Sequence, residues 1–302
     1  MSDEKTVTFY LSPQMRRQAE RGNHNFIRQI CRVVEEAGFS IAYDVNDHLG
    51  RLNAMSRAGR SLFLMDDPVD DRGLTFRRTY IFPFWHIEKQ SERWEWPVAK
   101  QMFDPIAQDP VKARGFHRRW QEKLFPNEIT QSGFVLVPLQ GRLTTCRSFQ
   151  HCSPLDMVKA TLRHDKTRDI VVTLHPSETY TDDEMKALHA LIDANDRLTL
   201  QHQRSEKFLF DCDYVVTQNS SLGFLGYFLR KPLILFGKTD FHHIALKVDE
   251  LGVSGAFSAL PDHTPDYESY LFWFLQKQSI NAGRPEVQSV IQNVLKGHGW
   301  PV

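Results

Sequence analysis

Apolar positions in the second half of the chain come in short unbroken runs, separated by stretches of helical period. The runs are GFVLVPL (133–139), DIVVTL (169–174), LTL (198–200), YVVTQ (214–218) and KPLILFG (231–237). Except for the short LTL, each has the length of a buried strand and carries apolar residues on consecutive positions, as strands covered on both faces do. Helices are predicted between them: near 154–163, behind Thr181, around 204–211, and over 220–230 (SSLGFLGYFLR). Thr181 and Glu184 make a T-x-x-E capping box, followed by Met185, Leu188 and Ile192 on one helical face. Five strands with a helix between each pair predict a doubly wound parallel sheet.

The first half alternates in the same way, though less regularly. TVTFYL (6–11), FSIAYDV (39–45) and SLFLMDD (61–67) read as strands. Between the first two lies a helix at 25–38, with Phe26, Ile30, Val33, Val34 and Ala37 on one face and Gly38 closing it. From about 77 to 126 the texture changes to Trp, Phe, Pro and Arg with weak periodicity, then a basic helix over 109–126 ending at Pro126. Two further helices, 267–276 and 285–296, finish the chain. The expected division is an N-terminal α/β domain, 1–128, and a C-terminal Rossmann-like domain, 129–302, whose last helices pack back on the first.

Composition narrows the class. The chain has 302 residues, 41% hydrophobic and 25% charged, as expected of a globular protein. Lys+Arg and Asp+Glu number 37 each, so no global basic field points to nucleic acid. Four cysteines, Cys31, Cys146, Cys152 and Cys212, include no CxxC pair. The acidic start MSDEKTVTFYLSP lacks the apolar core of a signal peptide, and no apolar run approaches a membrane span. A soluble cytoplasmic protein is expected, with any membrane contact peripheral, at the inner face of the cytoplasmic membrane.

In open parallel sheets, ligands bind at the carboxyl ends of the strands. The residues following four of the second-half strands are Gln140-Gly141-Arg142, His175-Pro176-Ser177, Asn219-Ser220-Ser221 with Gly223, and Gly237-Lys238-Thr239-Asp240. Ser220 and Ser221 open a helix, whose free N–H groups and dipole favour an anion. Gly223 allows close backbone approach. His175 can donate to phosphate oxygens, Pro176 restricts the backbone beside it, and Lys238 adds positive charge. Together they describe a nucleotide-phosphate pocket without a P-loop or GxGxxG. Taken singly, Ser220 is also a plain N-cap, His175 a loop residue and Lys238 a solvated lysine; the shared edge favours the pocket. Asp211-Cys212-Asp213 matches the D-x-D of metal-dependent sugar transferases, but it precedes its strand and so belongs to the opposite edge. His242-His243 has no third ligand at useful spacing, and no metal site is expected. Trp85, His86, Trp94 and Trp96 read either as irregular core or as a saccharide-stacking acceptor surface.

FVLVPLQ (134–140), TLHP (173–176), VTQNSSLGFLGYFLRKPLILFG (216–237) and PFW (83–85) resemble bacterial capsule polysaccharide biosynthesis proteins, a group that includes the β-Kdo transferases of the capsule lipid linker. The resemblance implies a GT-B glycosyltransferase, two Rossmann-like domains facing across a cleft. It implies a nucleotide-sugar donor as co-substrate, CMP-Kdo or another CMP- or UDP-sugar, and no cofactor or metal. His175 would contact the donor phosphate, Ser220 and Ser221 the phosphate or ribose, and Gln140 the donor pocket. The N-terminal domain would take a glycan or glycolipid acceptor, in or beside a polysaccharide-synthesis complex. In one respect the chain departs from the pattern. An acidic residue is expected a few positions beyond PLQ, where QGRLTTCRSFQHCSPLD places Thr144 and Thr145. Asp156, Asp240 and Glu178 are the substitutes the sequence offers. Two other readings stay open: a catalytically inactive GT-B-like partner or regulator, and a nucleotide-sugar epimerase.

Overall fold

The computed structural model describes residues 3–125, 130, 132–202 and 205–302. In chain order the strands are β1 (Thr6–Leu11), β2 (Ser40–Val45), β3 (Arg60–Leu64), β4 (Gly73–Arg78), β5 (Phe84–Glu88), β6 (Phe134–Pro138), β7 (Asp169–Thr173), β8 (Leu198–Gln201), β9 (Tyr214–Thr217), β10 (Leu233–Leu235), β11 (Leu246–Lys247) and β12 (Ile280–Asn281). They form two six-stranded, mostly parallel sheets in two compact units. One unit holds the chain up to Lys100 together with Phe274–Val302, and the other holds Gln101–Trp273. The boundary expected at 128/129 lies outside the described residues.

The first sheet has the order β12-β5-β4-β3-β1-β2. β2, β1, β3 and β4 are parallel; β5 runs antiparallel to β4, and β12 antiparallel to β5. The helix Asn25–Glu36 lays Phe26, Ile30, Val33 and Val34 on this sheet, and Gly38 follows its cap at φ +83°, as the sequence pattern predicts. Ile291 and Leu295 of the helix Val287–Gly297 join the same core. β4 and β5 were not legible as strands. All five residues of β5 are buried, so no in-out alternation marks it, and its Trp and His resemble irregular core.

The second sheet is parallel throughout, in the order β11-β10-β9-β6-β7-β8. The chain winds one way from β6 to β8 and the other way from β9 to β11, so strand order reverses beside β6. Helices cover the sheet, and Val135, Val137, Ile170, Val172, Val216 and Ile234 are wholly buried. The capping box forms as the sequence indicates, with Thr181 and Glu184 bonded reciprocally. Buried Glu184 also accepts the Leu143 N–H at 2.6 Å, which ties the loop after β6 to the helix after β7. The helix expected around 204–211 is only Glu206–Leu209, and residue 204 lies outside the described residues. The basic helix is Pro110–Leu124, capped by Asp109; Pro126 lies outside the described residues.

Candidate functional site

A cavity of about 580 Å³ opens at the carboxyl edge of the second sheet, wholly within that unit. Pro138 and Leu139 leave β6 into it, Thr173 to Pro176 leave β7, and Ser220 and Ser221 enter it at the start of the helix Ser221–Phe228. Of the residues expected from the sequence, His175, Pro176, Ser220 and Ser221 share this cavity.

The loop after β7 is held locally. The His175 N–H donates to the Tyr180 hydroxyl at 2.8 Å, and the Ser177 N–H donates to His175 Nδ1 at 3.3 Å. An Nδ1 that accepts a hydrogen bond places the neutral ring's proton on Nε2, the arrangement that can donate to an anion. On the other wall, Ser220 is a true N-cap: its Oγ accepts the Leu222 N–H at 3.3 Å. The Ser220 N–H donates to Thr217 Oγ1 at 3.4 Å, and that hydroxyl donates to the Pro138 carbonyl at 3.2 Å. The cap is thus wired to the ends of β9 and β6. The helix N-terminus it holds carries partial positive charge, suited to a phosphate.

The other expected donor residues do not line the cavity. A Cβ on Gly223 would stand 3.0 Å from both Leu233 methyls, so this glycine lets its helix pack on β10 rather than lets the backbone approach a ligand. Lys238 is exposed, and its backbone N–H donates to the Phe149 carbonyl at 2.8 Å. Gln140 Oε1 accepts from Arg147 Nη2 at 3.3 Å in the loop after β6. Glu178 packs into the space left by Gly141, where a Cβ would lie 2.2 Å from its Oε2. Burial pushes the Arg147 guanidinium down, with neighbouring Glu178 opposing this and Arg142 adding to it.

The three carboxylates named from the sequence are likewise outside the cavity lining. Asp156 belongs to a helix start: Ser153 Oγ donates to its Oδ2 at 2.7 Å and Lys159 pairs with it at 3.0 Å, which together hold its carboxyl below the usual range. Asp240 is buried and accepts from the Thr239 hydroxyl at 3.0 Å. The carboxylate that does line the cavity is Glu206, with Gln201, His202 and Ser205 on the same side; Ser205 Oγ donates to Thr173 Oγ1 at 2.8 Å. Sequence reasoning missed this group. The edge rule that found His175 finds it too when applied to the run at 198–200, whose following residues are these.

For Trp85, His86 and Trp96 the first unit's packing favours the irregular-core reading over the acceptor surface. Trp85 is 2% exposed and stacked on Phe26 with ring centroids 4.7 Å apart. Trp96 is equally buried, its Nε1–H bonded to the Gln90 carbonyl at 2.7 Å. Buried His86 lies between Glu88 at 3.3 Å and the Ser279 hydroxyl at 3.2 Å, and Trp94 is half-buried. Neither Trp85 nor Trp96 offers an open ring face to a saccharide. At the opposite edge of the second sheet, Asp213 accepts the Gly133 N–H at 3.1 Å and pairs with Arg168, while Asp211 accepts the Thr130 hydroxyl. Both anchor chain segments. His242 and His243 stack 4.4 Å apart, and their Nδ1 atoms meet the Thr239 carbonyl and the Tyr270 hydroxyl. Among the described residues no group of three potential metal ligands forms, and no helix is long and apolar enough to cross a membrane.

Two α/β units, each on a six-stranded, mostly parallel sheet, with a ligand-sized cavity at a strand-order switch, define a protein of GT-B fold. No protein-family model matches the chain, and no curated protein sequence matches it. Solved structures do. A β-Kdo 2,7-transferase, KpsC of Thermosulfurimonas dismutans, superposes with a TM-score of 0.53 at 14% identity over 89% of each chain. The same organism's KpsC β-Kdo 2,4-transferase gives 0.49 at 11% identity, over 88% of this chain and 89% of that one. MnaA of S. aureus, in a co-structure with UDP, gives 0.41 at 12%, over 99% and 98%. At such identity the first of these likenesses shows a shared fold.

Proposed function

We propose that this chain is a metal-independent glycosyltransferase that holds the phosphate of a nucleotide-sugar donor between His175 and the helix start at Ser220 and Ser221. The observation that carries the reading is the meeting of these groups in one cavity of about 580 Å³, large enough for a nucleotide. In the transfer step an acceptor hydroxyl bonds to the anomeric carbon and gives its proton to a base or to water, the bond from that carbon to the phosphate oxygen breaks, and negative charge grows on the departing nucleotide phosphate. A helix N-terminus and a neutral imidazole donating through Nε2 stabilise that charge without a cation. The resemblance of the TLHP and NSSLG motifs to those of capsule β-Kdo transferases favours CMP-Kdo as the donor, with another CMP- or UDP-sugar as the alternative, and surface polysaccharide synthesis with a glycan or glycolipid acceptor as the setting.

Calorimetry with CMP and UDP tests the donor site, and a folded protein that binds neither would end the proposal. A second reading, a donor-binding partner without turnover, is favoured by Thr144 and Thr145 at the expected carboxylate position and by the engagement of Asp156 in its helix cap. Incubation with CMP-sugars and membrane extract separates the readings. A new glycosidic bond that requires His175 supports transfer; bound but unconverted donor supports the partner; isomerised donor indicates an epimerase.

A further inference from the structure

The helix Pro110–Leu124 has two faces of opposite character. Ala113, Phe116, His117 and Trp120 are buried. The Phe116 ring meets Phe272 at 5.8 Å and the His117 ring meets Phe228 at 6.2 Å. At about 100° per residue, the remaining positions form a contiguous outer face. That face carries Lys112, Arg114, Arg118, Arg119 and Lys123, all exposed, against one acid, Glu122. Lys112 pairs with the capping Asp109 at 3.3 Å, and Lys123 lies over the Trp120 ring at 4.6 Å. Arg114, Arg118 and Arg119 form no ion pair among the described residues. Just before the helix in the chain, and in its first turn, come the three most exposed large apolar side chains among the described residues: Met102 and Ile106 at 92% and Val111 at 70%. All belong to the same compact unit.

We propose that this surface docks on an anionic membrane, with Met102, Ile106 and Val111 entering the headgroup boundary and the outer face of the helix meeting lipid phosphates. The two halves of the patch point to one occupant. Cations alone would suit any polyanion, but bare aliphatic side chains gain nothing from a nucleic-acid backbone and are stabilised at the acyl boundary of a bilayer. The chain's formal net charge is zero, so the attraction is local to this face. The inference is independent of the donor-site reading.

Sedimentation of the full chain with vesicles tests it. The protein should pellet with phosphatidylcholine vesicles containing phosphatidylglycerol, much less with pure phosphatidylcholine, and less as salt rises. Loss of each cation should lower partitioning about fivefold, so Arg118→Glu with Arg119→Glu lowers it at least about 25-fold. Ile106→Ser should weaken binding while leaving its salt dependence unchanged. Both substitutions fall on exposed side chains, and an unchanged thermal midpoint shows that the variants are folded. Wild-type protein left in the supernatant with anionic vesicles overturns the proposal, as does a charge-reversed variant that pellets like wild type. Binding to single-stranded RNA, lost in that variant while anionic vesicles are ignored, overturns it in favour of a nucleic-acid face.

Discussion

Replacing His175 with alanine removes the ring whose Nε2–H is free to donate once the Ser177 N–H has occupied Nδ1 at 3.3 Å. A hydrogen bond to a charged phosphate contributes about 1–3 kcal/mol, so the affinity for CMP should fall roughly 5- to 150-fold. Stability should hardly change. His175 is exposed, the Ser177 N–H it releases can turn to water, and the tie from the His175 N–H to Tyr180 at 2.8 Å belongs to the backbone and survives. Isothermal calorimetry at fixed salt, with matched urea midpoints, gives both quantities. Cytidine supplies the control: it lacks the phosphate, so wild type and variant should bind it alike. Equal CMP affinity in the two proteins would refute the reasoning, and so would an equal loss for CMP and cytidine, which would place the ring against the nucleoside.

Glu206→Gln tests the carboxylate in the cavity. If it accepts from the ribose 2′-hydroxyl, CMP affinity falls about tenfold and dCMP affinity stays, and calorimetry showing the same ratio for both ligands contradicts this. Gly237→Ala places a Cβ 3.0 Å from the Gln218 carbonyl oxygen and 3.1 Å from that of Phe149. Both are backbone atoms, so a loss of about 1–3 kcal/mol is expected in urea unfolding, and a neutral result would mean that the loop at 149 yields freely. Burial pushes Asp165 up, but the Arg168 N–H, the Tyr214 hydroxyl, the Thr167 N–H and the Arg168 guanidinium outweigh it and hold the carboxyl below the usual carboxylate range. A depressed folded value means that this stabilisation is complete above the unfolded value and is lost as pH falls through the folded one. The stability gap between wild type and Asp165→Asn should therefore hold at neutral pH and close below about pH 4; a gap that persists under acid contradicts the linkage.

The second sheet was readable because its strands are covered on both faces. Burial on both sides writes unbroken apolar runs into 133–139, 169–174 and 214–218, and the stretches between them carry helix caps. The same burial made β5 unreadable. Five consecutive buried residues that include Trp85 and His86 lack any period, and nothing along the chain says that the last four, Trp85 to Glu88, pair with Arg78 to Thr75. The helix at Glu206–Leu209 is four residues long, too short to show amphipathy, so its cavity-facing acid passed unseen.

Local chemistry is therefore what this sequence determines by itself: strands, caps, and the chance that His175 and Ser220 share an edge, since strand direction and the switch rule put both at carboxyl ends. Which side chains are left over for a ligand is decided by the tertiary structure. Asp156 reads as a free carboxylate until Ser153 and Lys159 engage it. Gly223 reads as a ligand-side glycine until Leu233 packs against it. Trp85 reads as either core or stacking platform until Phe26 covers it. In each case a residue's type states what it can bond, and only its neighbours in space determine whether that capacity is already used.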